Sequence, residues 1–204
     1  SEARLSIQNS IDLFDQYKKD LDQYISGNST LFDFNNLYMY WESCKDILYT
    51  EPDLYSASLL LDLNSSLLDE FQSLIEKLEG ICTDNPNFET CQALYAQRLL
   101  SERMVCLYIG YTWGVESEKN IKKEYIKCRE AFKKGMQKIS DNDLFSDEVK
   151  ADLEIICEKF ESDSKDIKFY KNNVLTVYTD SKLINKKTED ISMIFVSQYS
   201  VDLH

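Results

Sequence analysis

The sequence predicts an all-α protein, a single-domain, disulfide-linked bundle of about six helices. Three observations carry that expectation. Only 5 Gly and 2 Pro occur in 204 residues, and a sandwich or barrel needs turn residues about every ten positions. Apolar residues recur at three- and four-residue steps through most of the chain, the period of a helix with one face turned inward. Met104 to Val115 carries no charge in a chain that is 29% charged. A helix apolar on nearly every side is normally buried on every side, so Cys91–Trp113 reads as the central helix.

The elements follow in order. Over residues 4–26, Leu5, Ile7, Ile11, Phe14, Tyr17, Leu21 and Tyr24 mark an amphipathic helix. Gly27 ends it, and Asn28, Ser29 and Thr30 offer caps for the next. The second helix, 31–49, places Tyr38, Met39, Tyr40 and Trp41 in a row. Four consecutive large residues cannot all face one core, so this helix is either sandwiched between neighbours or lines a cavity or a partner surface. Thr50-Glu51-Pro52-Asp53 reads as a helix start, with Thr50 as capping hydroxyl and proline in the first turn. That third helix runs to Gly80. Glu42 to Glu79 holds nine acids and two lysines, an acidic, solvated face. Asn85-Pro86-Asn87 reads as a turn before the central helix, whose end Gly110 and Gly114 loosen.

Residues 115–139 are the electrostatic exception. Lys119, Lys122, Lys123, Lys127, Arg129, Lys133, Lys134 and Lys138 stand against four Glu, outside an apolar stripe of Ile121, Tyr125, Cys128, Phe132, Met136 and Ile139. The basic outer face either binds a sulfated glycan, phosphate groups or an acidic protein, or balances neighbouring acidic helices. Ser146-Asp147-Glu148-Val149 starts another helix with Val149, Leu153, Ile156, Cys157 and Phe160 inward. The β-branched runs in 165–178 and 191–201 leave 165–204 open between helix, hairpin and extended strap. No repeat or linker divides the chain, so one domain is expected over 1–204.

The totals narrow the function classes. A formal charge of −13 disfavours nonspecific binding to nucleic acid or anionic membranes. No apolar run reaches the roughly 18 residues of a membrane span. The chain opens at Ser1 without Met, which fits either a processed mature protein or a trimmed chain. Cys44, Cys82, Cys91, Cys106, Cys128 and Cys157 make an even, widely spaced set that points to three disulfides and an oxidising compartment, against six buried free thiols in a reducing one. Six cysteines have fifteen pairings. Short separation favours Cys82 with Cys91, and antiparallel neighbours would level Cys128 with Cys157, leaving Cys44 with Cys106. Asn28 and Asn64 head glycosylation sequons, in keeping with secretion.

Catalytic signatures are missing. The one His is His204, which leaves no Ser–His–Asp or Cys–His site and no His-based metal centre. No phosphate or dinucleotide glycine loop occurs. No metal or cofactor is expected, and a non-enzymatic role is the better reading.

An acidic, Tyr-rich, helical chain with six scattered cysteines and the CTDNPNFETC loop at 82–91 resembles salivary proteins of blood-feeding flies, in particular the mosquito thirty-four-kilodalton salivary family. The resemblance lies in overall character. It implies a secreted protein that engages host molecules or cells, and it supplies no site residues. Two functions follow as expectations. The first is a secreted binding module for a host protein, sulfated glycan or cell surface, acting through Lys119, Lys122, Lys123, Lys127, Arg129, Lys133 and Lys134 of the basic helix or through the aromatic cluster 38–41. The alternative is a carrier of a small apolar ligand between the second and fourth helices, in a pocket lined by Tyr38, Trp41, Tyr108, Tyr111 and Trp113.

Overall fold

The computed structural model describes residues 2–25, 34–81, 86–115, 117–141, 145–164 and 174–199. Among these residues every regular element is an α-helix: α1 (Glu2–Ile25), α2 (Asn35–Leu48), α3 (Leu54–Ile81), α4 (Pro86–Trp113), α5 (Glu118–Ser140), α6 (Asp147–Ser164) and α7 (Val174–Tyr199). The chain, expected to form one domain, divides by its internal packing into two compact units, residues 1–76 and 77–204.

In the first unit α1 and α2 form an antiparallel pair. Arg4 pairs with Glu51, Gln8 Nε2 donates to Tyr49 Oη at 3.4 Å, and Tyr38 Oη donates to Asp22 Oδ1 at 2.6 Å. Low numbers on α1 thus meet high numbers on α2. The apolar centre is Ile11, Trp41 and Cys44, closed by Phe14, Leu48, Leu60, Leu63 and Leu67. The expected inward stripe of α1 is only partly inward, because Leu5 and Tyr17 are 64% and 63% exposed. The face that meets α2 is instead partly ionic, through Asp15, Lys18 and Asp22. The α3 cap also shifts from the expected position. Asp53 Oδ1 accepts from Ser56 N at 2.6 Å, whereas the Thr50 hydroxyl donates backwards to the Ile47 carbonyl at 2.7 Å. Asp53 is the better cap because its side chain stands immediately before the first helical residue.

The second unit is a four-helix bundle. The packed pairs are α4 with α5, α5 with α6, α6 with α7, and α7 with α4, so the helices follow one another around a square in chain order. Its core holds Leu94, Met104, Leu107 and Tyr108 from α4, and Ile121, Tyr125, Phe132, Met136 and Ile139 from α5. Val149, Leu153 and Ile156 of α6 and Ile184 and Ile191 of α7 complete it. The central helix begins five residues earlier than expected. Pro86 opens it rather than ending a turn, since proline at a first helical position gives up an N–H that has no partner there anyway. Its C-terminus is a Schellman motif. Gly114 sits at φ +73, its N–H donates to the Tyr111 carbonyl at 3.0 Å, and Val115 N–H donates to the Gly110 carbonyl at 2.9 Å.

The C-terminal segment is settled over residues 174–199, where the open alternatives of hairpin and strap give way to α7. The remaining residues of 165–204 lie outside the described ones. The seam of α7 against α4 is polar and close. Ser101 Oγ and Ser181 Oγ share a hydrogen bond of 3.0 Å, and Asn185 Nδ2 donates to Glu102 Oε1 at 2.9 Å. On α6, Asp152 pairs with Lys187 of α7.

Candidate functional site

The outer face of α5 concentrates the positive charge of the chain. Lys119, Lys122, Lys123, Lys127, Lys133, Lys134 and Lys138 are all exposed. At 1.5 Å per residue the row from Lys119 to Lys138 is about 28 Å long. The helix stands outward in this way because its other face is almost wholly consumed: Ile121, Tyr125, Phe132, Met136 and Ile139 are each at most 3% exposed. Ser117 caps its start, accepting from Asn120 N at 3.4 Å.

The row has internal structure. Lys127 Nζ donates to Glu124 Oε1 at 2.7 Å, and this bond holds the Glu124 carboxyl below its usual range. Glu130 is exposed within the row, and so is one apolar side chain, Ile126, at 51%. Arg129, counted with the basic face on sequence grounds, is half-buried, and its Nε is buried without a hydrogen-bond partner. It stands at the edge of the exposed row and is less open to solvent than the seven lysines. Neighbouring α6 turns Asp147, Glu148, Glu154 and Glu158 to solvent.

The five aromatics of the carrier alternative fall on two units: Tyr38 and Trp41 on the first, Tyr108, Tyr111 and Trp113 on the second. Trp41 is a core residue. Its ring stacks on Phe14 at 3.9 Å and 25°, and its Nε1 donates to Asp15 Oδ1 at 2.8 Å. Lys45 reaches the same carboxylate at 3.2 Å and Glu42 at 2.8 Å. The indole donor first, then Lys45, hold Asp15 below the usual carboxylate range, while Glu42 and Asp15 raise Lys45. Tyr38 lies half-buried under Lys18, which sits 4.2 Å over its ring, and burial together with Asp22 keeps its phenol protonated. Tyr108 is 3% exposed, whereas Trp113, in the last turn of α4, is 64% exposed.

Among the described residues no two cysteines stand at disulfide distance. Cys82 lies outside them, and with it one half of the expected Cys82–Cys91 bridge. Cys44 and Cys106 fall in different units, and Cys128 and Cys157 fall on adjacent helices. Burial pushes the thiols of Cys44, Cys91, Cys106 and Cys128 up. No three His, Cys, Asp or Glu side chains among the described residues are grouped to hold a metal ion. Of the two sequons, Asn64 is half-buried within α3, and Asn28 lies outside the described residues. No described helix is long and apolar enough to cross a membrane.

Sequence reasoning did not find the Asp15–Trp41–Lys45 cluster or the Ser101–Ser181 seam. The first had a signal, since an acid in the middle of an apolar stripe asks for a donor on the facing helix. The second had none, because isolated serines are common on solvated faces. Comparison with protein-family models, with curated proteins and with solved structures finds no match.

Proposed function

We propose that the protein is a secreted, non-enzymatic binding protein whose working surface is the exposed lysine row of α5, which engages an anionic macromolecule. The observation that carries this reading is the concentration of seven exposed lysines on one helix face of a chain with net charge −13. Locally, such a row attracts polyanions even where the whole molecule repels them. The only histidine is His204, which leaves little to activate a serine or cysteine nucleophile and supports the non-enzymatic part. The resemblance to salivary proteins puts the partner in a host. That part rests on the overall character of the chain, as do secretion and three disulfides.

The test is retention of the intact protein on an immobilised polyanion at low salt, with elution by sodium chloride. Retention that fails even at the lowest salt overturns the binding role of α5. Intact mass before and after alkylation without reductant tests the compartment. No added label supports three disulfides, and six labels would place the chain in a reducing compartment.

A further inference from the structure

We infer that the partner of the α5 row is a linear sulfated glycan. This narrower statement rests on the proposed binding role of that face. Three features of the row select the class.

The first is chemical. Every fully exposed cation in the row is a lysine, and the one arginine of the helix is half-buried with its Nε out of solvent. Lysine is a compact, strongly hydrated point charge that suits a spread of anionic groups, whereas bidentate recognition of one planar carboxylate relies on the fork of arginine. Protein–protein interfaces are depleted in lysine and draw their energy from aromatic and arginine anchors. The described outer face of α5 has no aromatic residue and one exposed branched apolar side chain, Ile126. The same lack of rings removes the stacking platform on which single-stranded nucleic acids are held.

The second feature is shape. The row is one helix wide, and the adjoining α6 carries Asp147, Glu148, Glu154 and Glu158 outward. A flat anionic surface such as a membrane would meet those acids together with the lysines. A thin chain lying along α5 would not.

The third is spacing. Lys122–Lys123 and Lys133–Lys134 are eleven residues apart, three helical turns, so both pairs point the same way at a separation of about 16 Å. A polymer with repeated sulfates engages both pairs at once, and a single small anion reaches only one. Linked engagement of two weak sites multiplies affinity.

The experiment is titration calorimetry of the full chain with heparin-derived oligosaccharides of two and eight sugar units, polyglutamate of matched charge, and phosphatidylserine vesicles. The octasaccharide is expected to bind at least tenfold tighter than the disaccharide and the polyglutamate, with no vesicle binding. If four lysines each release about 0.7 counterion, as for single-stranded polyanions, affinity falls about fiftyfold between 50 and 200 mM salt. Lys133→Glu with Lys134→Glu should weaken octasaccharide binding at least tenfold. Lys19→Glu with Lys186→Glu, two exposed positions off the row with the same charge change, should weaken it less than threefold. Helix content by circular dichroism checks that both variants fold. Tighter binding of polyglutamate or vesicles overturns the glycan assignment and leaves the anion-binding role standing. Equal losses in the two variants overturn the placement on α5. No binding of any probe at low salt overturns both.

Discussion

Gly135 of α5 closely faces Gln97 of α4, and substituting it tests how those helices are locked. A Cβ built there would lie 2.1 Å from Gln97 Nε2 and 2.8 Å from Gln97 Cδ. Gln97 is 2% exposed, its Nε2 donates to the Ala93 carbonyl at 3.1 Å, and its Oε1 has no partner. Gly→Ala within a helix normally stabilises by about 1 kcal/mol. Here the added methyl displaces a buried amide, at an overpacking cost of about 1–3 kcal/mol. Breaking the bond to Ala93 adds to that cost. The net is destabilisation by about 1–2 kcal/mol, or roughly 3–8 °C in Tm for a chain of this size. In a Gln97→Ala background the three nearest atoms are gone, and the same substitution should stabilise by about 1 kcal/mol. The coupling in the double-mutant cycle is therefore about 2–3 kcal/mol. Urea unfolding followed by far-ultraviolet circular dichroism measures all four corners. A Gly135→Ala variant as stable as, or more stable than, the parent would show that the amide swings away freely, and the packing argument would fail.

The other predictions concern the ends and the ionic seam. Asp15→Ala should destabilise the first unit by about 1–3 kcal/mol, because the buried Trp41 indole loses its acceptor; Asp15→Asn should cost less, and indole fluorescence reports the change. Since the folded-state pKa of Asp15 is depressed, its contribution is present above the unfolded value of about 3.9 and is lost as the pH falls through the folded one. A fluorescence shift from Trp41 is thus expected only at the acid end, and the same shift in the Asp15→Ala variant would count against that origin. Gly114→Ala should cost about 1 kcal/mol by its positive φ alone, as nothing lies within 4 Å of the added Cβ; thermal unfolding at a Tm unchanged from the parent would contradict the Schellman geometry.

What the sequence made legible was set by how strongly each seam sorts apolar from polar residues. On α5, five apolar side chains at helical spacing fill the bundle, and their periodicity alone located the inward face. On α7 that sorting is weak. Its inward positions are Ser181, Ile184, Thr188, Ile191 and Ser192, a mixture that reads neither as an apolar stripe nor as a solvated face. Thr188 and Ser192 are tolerated in the interior because each hydroxyl bonds a carbonyl of its own helix at 2.7 Å. Burial of that stripe outweighs the β-branched propensity that left strand and strap open. On α1 the error had the opposite sense. Leu5 and Tyr17 entered the apolar stripe by spacing, but the contact with α2 runs through Asp15, Lys18 and Asp22. In the Tyr38–Trp41 run, sequence could state that not all four face one core. Only the partner positions decide that Trp41 is inside and Met39, at 54%, is outside.

The lysine row was legible for a different reason, and that reason bears on what it is for. A solvated helix gains from opposite charges four residues apart and loses about 0.2–0.5 kcal/mol for each like pair. Here Lys119–Lys123, Lys123–Lys127 and Lys134–Lys138 are like pairs at that spacing, set against Glu118–Lys122 and Glu130–Lys134 as opposite pairs and the Glu124–Lys127 ion pair at 2.7 Å. The folding of the bundle draws chiefly on the other face of α5, where Phe132 and Ile121 are 1% exposed. Like and opposite pairs thus roughly cancel, so the row neither strengthens nor weakens the helix by much, and the proposed binding role is separable from stability. The Lys133→Glu, Lys134→Glu variant should therefore keep its Tm within about 3 °C of the parent while its binding falls. A structural role for the row would move the two together.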